Sequence, residues 1–329
     1  MTDLPDLVRR ATALSILLGA TLGPIAHAQP AAYPAKPVRI VVPAGPGSAP
    51  DTLARLFAEH LGRRLQQPFV VEPMPGAAGI LGAGAVARAD ADGHTLLYGY
   101  NQLVTINPHL YEKLPYDGAA AFAPVTLVAK GGYVLIGSPA LEATDLPGLI
   151  ALARRRPGQL VYASLGSGSV ANVGMELLKQ AAGIDLLHVP YKTGGASTTD
   201  LLGGRVHVKL EPTASAVPLV RAGKVKGLAV TTARRMAALP DVAAFAETVP
   251  DFEITGWNGF LAPARTPPEI VQKLNQELRA IVDMPDVKQR LVGFGIEPTT
   301  TSPVEMAEMI RRESAQWARV IRRAGIKPE

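Results

Sequence analysis

The sequence has no cysteine among its 329 residues. Without a thiol, the protein has no disulfide framework, no thiolate zinc site, no iron–sulfur cluster and no cysteine nucleophile. A lipid-modified cysteine is excluded for the same reason. Charged residues amount to only 19%, and no run of five or six like charges occurs. In contrast, 47% of the residues are hydrophobic, which indicates sizeable cores and excludes intrinsic disorder.

The motifs of common enzyme sites are also missing. No serine is centred in G-x-S-x-G, and no G-x-x-x-x-G-K-[ST] loop occurs. Residues 82–87 fit a loose G-x-G-x-x-A, but they lie where a helix is expected, so a dinucleotide site is not predicted. Four histidines show neither an H-E-x-x-H pattern nor close pairing: His94, His109, His188 and His207. We therefore predict a non-enzyme with no metal and no cofactor.

Uninterrupted hydrophobic runs of membrane-spanning length do not occur either. The apolar run at 11–26 is broken by two glycines and a proline, and is short for a membrane span. Arg9 and Arg10 precede it, and an A-x-A cleavage site ends at Ala28. Residues 1–28 are therefore predicted to be a secretory signal peptide, and the mature protein to be exported without a lipid anchor. General secretory and twin-arginine export both stay open.

The first part of the mature chain alternates between strand and helix patterns. Strands are predicted at 34–43, 69–71 and 95–98. Ser48, Pro50 and Asp51 form a capping-box-like start for the first helix. This βαβαβ order with short loops implies a parallel sheet covered by helices.

A second β-and-α series begins at Tyr133 and runs through strands near 160–164, 186–189, 206–210 and 227–231. Capping boxes at Thr266 and Ser302 predict two further amphipathic helices, which we expect to pack on the sheet of the first domain. The expected division is 29–132 plus 251–329 for one lobe and 133–250 for the other. A set of C-terminal arginines is interpreted as a solvated helix face and not as a nucleic-acid surface: Arg311, Arg312, Arg319, Arg322 and Arg323.

Two loops are candidates for binding an anionic ligand. Ala44–Ser48 follows the first strand, and Leu165–Ser169 follows a strand of the second series. Both consist of small residues and open a helix, whose unpaired N–H groups and partial positive charge favour an anion. One such loop in each lobe would clamp a carboxylate from both sides. Ordinary strand-to-helix turns remain the alternative.

The order of segments resembles the Bug family, the periplasmic receptors of tripartite tricarboxylate transporters. The resemblance begins with YPAKPVRIVVP and GPGSAPD, and continues through VVEPMPGAAG, ADGHTLL, RPGQLVYASLGSGS and HVPYKTGG to RLVGFGIEP. It covers essentially the whole mature chain. It implies a type II periplasmic-binding-protein fold of class α/β, with two lobes, a ligand cleft between them and a hinge that closes on a small organic acid. It also implies a periplasmic location and delivery of the ligand to a membrane permease; a monomer is expected.

The candidate ligand-binding residues combine the loop argument with this resemblance. They are Ala44, Gly45, Pro46, Gly47, Ser48, Asp51, Gly76, Ala77, Ala78, Gly79, Tyr100, Asn101, Ser164, Gly166, Ser167, Gly168, Ser169, Asn172, Tyr191, Thr193 and Glu211. Capping roles are the alternative for Asp51, Ser169 and Asn172. Glu211 is either structural or an acceptor for a ligand amine or hydroxyl.

Five of these residues depart from the family pattern: Ala44, Ser48, Asn172, Thr193 and Glu211. Ala44 stands where the family usually has an aromatic residue, which opens volume. The departures indicate either a ligand other than citrate or neutral drift. Two other functions stay open, namely a ligand sensor for a membrane signalling protein and a periplasmic α/β enzyme.

Overall fold

A computed structural model describes residues 33–166 and 168–325. Every element below belongs to the unit that begins at residue 36. The predicted signal peptide lies outside the described residues. The strands of the described ranges are β1 (Val38–Val42), β2 (Phe69–Pro73), β3 (Thr95–Tyr100), β4 (Phe122–Gly137), β5 (Val161–Ser164), β6 (Leu187–Pro190), β7 (Val208–Pro212), β8 (Lys226–Val230), β9 (Thr255–Pro263) and β10 (Ile296–Pro298). The α-helices are α1 (Ala49–Leu65), α2 (Ile80–Ala87), α3 (Asn107–Leu110), α4 (Leu146–Arg155), α5 (Val170–Ala182), α6 (Gly194–Leu202), α7 (Thr213–Arg221), α8 (Pro268–Val282), α9 (Pro285–Gly293) and α10 (Pro303–Ala324).

The parallel βαβαβ start is confirmed. β1 lies between β2 and β3 and is parallel to both, with Ile40 opposite Val71 and Leu96. All but one of the β1 side chains are buried, as expected for a strand covered on both faces. The loops that follow β1, β2 and β3 therefore emerge at the same edge of the sheet.

The long strand β4 joins two sets of partners. The described strands run in the order β2-β1-β3-β9-β4-β7-β5-β6, with β8 and β10 also paired to β4. From Phe122 to Gly132, β4 pairs antiparallel with β9; from Tyr133 to Gly137 it pairs with β7 and β8. The sequence pattern predicts only the second half of this strand. It also misses β9, β10, α3, α7 and α9.

Helix starts test the capping predictions directly. Ser302 and Glu305 form the reciprocal capping box predicted for α10, and Gly325 ends that helix in the left-handed conformation. The capping box predicted at Thr266 is wrong. There the cap position is Pro267, and the Thr266 hydroxyl donates instead to the carbonyl of Pro263 at 2.8 Å. The second proline shifts the helix start by one residue, out of reach of the threonine.

Helix α10 contributes to two hydrophobic clusters. Met306, Met309 and Ile310 pack with residues of β1, β3 and β9. Trp317 and Ile321 pack with residues of α4 and α5. The predicted packing on the first sheet is therefore confirmed for the first half of α10, whereas its second half is buried against a different core. No helix in the described part of the chain is both long and apolar enough to span a bilayer.

Candidate functional site

Residues 44–51, named loop A here, connect β1 to α1. Gly47 has a positive φ of 74°, and its N–H donates to Asp51 Oδ2 at 2.9 Å. The N–H of Asp51 donates to Ser48 Oγ at 3.4 Å, which makes Ser48 the N-cap of α1. The aspartate thus reaches back beyond the cap residue and fixes the glycine. Loop A is held by its own side chains.

Residues 165–172, named loop B, repeat this arrangement between β5 and α5. Gly168 has a φ of 80°, and its N–H donates to Asn172 Oδ1 at 2.8 Å. The N–H of Asn172 donates to Ser169 Oγ at 3.2 Å. The two loops therefore share a Gly-Ser-x-x-Asp/Asn design in which the last residue closes a ring onto the glycine. Ser167 lies outside the described residues.

The closing residues have different partners. Asp51 is buried, and both of its carboxylate oxygens accept from the Arg55 guanidinium at 3.0 and 3.1 Å. Hydrogen bonding to Asp51 raises the pKa of Arg55 above its usual value. In loop B, Asn172 Nδ2 donates to the Tyr162 hydroxyl at 2.8 Å, which donates to Glu176 Oε1 at 2.6 Å. Loop A therefore contains an ion pair, and loop B a neutral amide.

The backbone of both loops borders open space. A methyl group placed on Gly45, Gly47 or Gly166 would meet no atom within 4 Å. On Gly168 it would lie 2.3 Å from Leu110 Cδ1, so that part of loop B is packed against α3. The exposed backbone next to each helix start is where a bound group can approach.

A third loop, residues 75–79, follows β2 at the same sheet edge. Four consecutive residues have positive φ values: 131° at Gly76, 47° at Ala77, 52° at Ala78 and 82° at Gly79. Alanine in this region is strained, and such strain clusters at functional sites. The side-chain amide of Asn107 donates to the Ala78 carbonyl at 3.2 Å and so supports the strained turn.

The segment from Tyr100 to Leu110 connects the three loops. The Tyr100 hydroxyl donates to the carbonyl of Pro43, just before loop A, at 2.8 Å. Asn107 contacts the third loop, and Leu110 contacts Gly168 of loop B. Burial raises the pKa of Tyr100 far above its usual value, so this hydroxyl remains a donor. The predicted residues near 44–48, 76–79 and 166–169 are thus linked through a single stretch of chain.

Asn101 and Tyr133 both lie beside Gly256 of β9. A methyl group on Gly256 would lie 3.4 Å from the Tyr133 hydroxyl and 3.6 Å from Asn101 Oδ1. Asn101 is buried, and its amide nitrogen lies 3.4 Å from the carbonyl of Thr255. Burial, followed by the negative charge of Glu211, raises the pKa of Tyr133. Tyr133 is absent from the predicted site, because its position reads simply as the start of a buried strand.

Glu211 is buried at the carboxyl end of β7 and forms an ion pair with Lys209, with 2.6 Å between Oε2 and Nζ. Lys209 is absent from the predicted site. The available signal is the alternation in V-K-L-E-P: residues two apart in a strand share a face, so two opposite charges in an apolar strand indicate a buried pair.

Three other candidates use their polar groups internally. Ser164 Oγ lies 2.7 Å from His188 Nε2 and accepts from the Gly166 N–H at 3.1 Å. Tyr191 donates to Asp200 Oδ2 at 2.7 Å, and Thr193 is the N-cap of α6. These contacts position loops rather than offer free groups to a ligand.

Two other kinds of binding site, a cavity and a metal site, were considered outside the predicted loops. A cavity of about 370 Å³ lies beside Lys36, Arg39, Arg88, Asp92 and His94, at the amino ends of β1 and β3 and away from the predicted loops. The described residues contain no group of three histidine, aspartate or glutamate side chains placed to hold a metal ion.

Solved structures define the class of fold. The chain resembles the periplasmic binding protein BugD with a TM-score of 0.86 and 30% identity, over 90% of this chain and all of the other. It resembles Rpa4515 of R. palustris, solved with adipate, with a TM-score of 0.87 and 35% identity, over 90% and 100% of the two chains. MatC from Rhodopseudomonas palustris, with bound malate, gives 0.82 and 32%, over 88% and 100%. The fold is that of the periplasmic binding proteins.

A family model also matches most of the chain. Residues 53–326 match the family model described as the tripartite tricarboxylate transporter family receptor. The chain belongs to this family of receptors, as its resemblance to the Bug proteins predicts.

Proposed function

We propose that this protein is a periplasmic receptor that binds a small organic carboxylate at loops A and B and delivers it to a membrane permease. The observation that carries the proposal is the pair of matched loops, each with a helix start and open space beside its glycine backbone. A helix N-terminus offers unpaired N–H groups and about half a positive charge, which suits a carboxylate. The relatives with adipate and malate support this class of ligand.

The proposed site lies between residues 29–132 plus 251–329 on one side and 133–250 on the other. The change of β4 partners between Gly132 and Tyr133 supports this division. Asp51 and Asn172 act by holding loop glycines in place, since their side chains are engaged there. The remaining predicted residues stay candidates for direct contact through their backbone or hydroxyl groups.

Gly45 gives the sharpest test of the site. Its φ lies outside the left-handed region and a methyl group there meets nothing, so Gly45→Val leaves the fold intact while filling the space beside loop A. We expect at least a 10-fold loss of affinity in calorimetry for the best ligand of a panel of di-, tri- and aromatic carboxylates. Gly293→Val is the matched control, because Gly293 also borders open space but ends α9.

Equal affinity of both valine variants would remove loop A from the site. A folded wild-type protein that binds no member of the panel would overturn the proposed function itself. Mass spectrometry of small molecules released by mild denaturation identifies the natural ligand.

The relatives found here are binding proteins, and we propose that this protein is likewise not an enzyme and acts as a monomer. A ligand recovered unchanged after prolonged incubation supports the first point, and turnover contradicts it. The sensor alternative is separated by reconstitution: ligand uptake into vesicles that carry the permease requires a transport receptor, whereas activation of a membrane kinase requires a sensor. The predicted signal peptide of residues 1–28 is tested by the N-terminal sequence of the exported protein.

A further inference from the structure

We propose that the exposed face of α10 is the surface on which the receptor docks, through acidic side chains of the membrane permease. This face, named the arginine face here, carries Arg311, Arg312, Arg319 and Arg322. The inference rests on the proposed function, because docking is needed only if the protein delivers its ligand to a membrane partner. It concerns a surface that is separate from loops A and B.

The arginine face lies opposite the buried side of α10. The buried residues of the helix are Met306, Met309, Ile310, Trp317 and Ile321. The four arginines are all exposed, and a repeat of 3.6 residues per turn places them within an arc of about 100° on the other side. From residue 311 to residue 322 they extend over about 17 Å of the helix.

The four arginines have no acidic partner in the described part of the chain. None of them forms an ion pair there. The helix α1 shows the opposite case, because all three of its arginines pair with acids. These pairs are Arg55 with Asp51, Arg63 with Glu59 and Arg64 with Glu277.

The acids of α10 itself do not neutralise this face. Glu308 precedes Arg311 and Arg312 by one turn, at a spacing that permits ion pairs, but forms none with either arginine. The carboxylate of Glu313 is turned inwards and accepts from Trp257 Nε1 at 2.7 Å. The helix dipole favours a cation at Arg322, in the last turn, but does not reach the middle of the helix. The charges of Arg311 and Arg312 are therefore available to an external anion.

The chemistry of the face favours a protein partner. A guanidinium binds a carboxylate through two parallel hydrogen bonds, so a row of arginines is suited to a row of aspartate or glutamate side chains. A helix that lies in a bilayer surface also presents large apolar side chains for insertion. Between residues 311 and 322, no large hydrophobic side chain is exposed. An acidic segment of the permease therefore fits this face better than a lipid surface.

The arginine face is anchored in both hydrophobic clusters. Arg311 and Arg312 follow Ile310, which belongs to one cluster, whereas Arg319 and Arg322 flank residues of the other. A partner that contacts all four arginines is thus bound to parts of α10 that are fixed in two different cores. Docking at this face would hold both parts of the receptor against the permease.

The experiment measures binding of the receptor to phosphatidylcholine vesicles that carry the permease subunits of the same bacterium. The test variant is Arg311→Gln/Arg312→Gln/Arg319→Gln/Arg322→Gln. We expect its affinity for these vesicles to fall at least about 10-fold, because four modest charge interactions are lost together. High salt should weaken binding of the wild-type protein more than that of the variant. Affinity for the carboxylate ligand in calorimetry should not change.

A matched control removes the same number of charges elsewhere. It is Arg155→Gln/Arg234→Gln/Arg265→Gln/Arg290→Gln. These arginines are also exposed and form no ion pair within the described ranges, but they lie outside α10. The control should bind the permease vesicles as the wild-type protein does. If the test variant does not fold, Arg311→Gln/Arg312→Gln replaces it, with an expected loss of at least about 3-fold.

Equal binding of the test variant and the wild-type protein, or equal losses in the test variant and the control, would overturn this inference alone. Tight binding of the wild-type protein to phosphatidylglycerol vesicles without permease would also overturn it, in favour of a lipid partner. A wild-type protein that binds its carboxylate but not the permease vesicles would overturn it together with the delivery step of the proposed function. A protein that binds no carboxylate overturns the proposed function at the ligand site.

Discussion

Loops A and B have the same backbone geometry but are closed by different side chains. Both begin at the carboxyl end of a parallel strand, both place a glycine at a φ of 74–80°, and both close a ring from that glycine to the third residue of the following helix. Loop A closes with an ionised aspartate paired to Arg55, and loop B with an asparagine bound to Tyr162. The backbone shape is therefore set by the Gly-Ser-x-x pattern, and the charge of the loop by the residue that closes it.

The loops also differ in how closely other residues pack against their glycines. Gly47 borders open space, whereas Gly168 packs against Leu110 of α3. Loop B is thus packed against Leu110, at the end of the segment that begins with Tyr100, whereas Tyr100 contacts the Pro43 carbonyl just before loop A. Two loops with the same local motif can therefore differ in the substitutions that they tolerate.

Alanine substitutions at the two glycines should separate the loops most strongly. Gly168→Ala combines left-handed strain with a clash against Leu110, so we expect a loss of about 2–5 kcal/mol in the free energy of unfolding. Gly47→Ala carries only the strain and should lose about 1–2 kcal/mol. Urea unfolding of both variants measures the difference. Equal losses would show that the contact with Leu110 does not constrain loop B.

Replacing the neutral amide of loop B by a carboxylate, as in loop A, should cause the next largest loss in the free energy of unfolding. In Asn172→Asp, the new carboxylate faces Tyr162 and Glu176 without an arginine, so we expect a loss of about 2–3 kcal/mol at pH 7.5. The loss should shrink as the pH falls towards 5, because protonation of one carboxyl group removes the repulsion. Unfolding at both pH values tests this. A pH-independent loss would point to steric distortion rather than charge.

Removing the ion pair of loop A should cause the smallest loss in the free energy of unfolding. Arg55 is 54% exposed, so Arg55→Met is expected to cost no more than about 1 kcal/mol, and less at high salt. Asp51 keeps its bonds to the backbone of Gly47 in this variant. Thermal unfolding at low and high salt measures the effect. A loss above about 2 kcal/mol would mean that the arginine, not the aspartate, holds the loop.

Local signals predicted the parts of the fold that depend on neighbouring residues. The N-caps at Ser48 and Ser302 appear where the pattern indicates. The Thr266 box failed because two consecutive prolines moved the helix start. The length of β4 could not be read, since Gly131 and Gly132 interrupt its pattern while long-range pairing continues the strand.

In the candidate site, too, the predicted features are those that depend on residues adjacent in the sequence. The loop glycines and their closing residues were predicted because strand, loop and helix start are consecutive in the sequence. Lys209, Tyr133 and Leu110 were not, because their importance comes from contacts with distant residues: α6, Gly256 and Gly168 respectively. The ring between Gly168 and Asn172 was half predicted, since asparagine was expected to cap or to line the site but not to hold the glycine.

The double packing of α10 has a consequence for the order of events during biosynthesis. Met306 and Ile310 complete one hydrophobic cluster, and Trp317 and Ile321 complete another, whereas every other element of these clusters precedes them in the chain. Both clusters therefore stay unfinished on a nascent chain until these residues have been made.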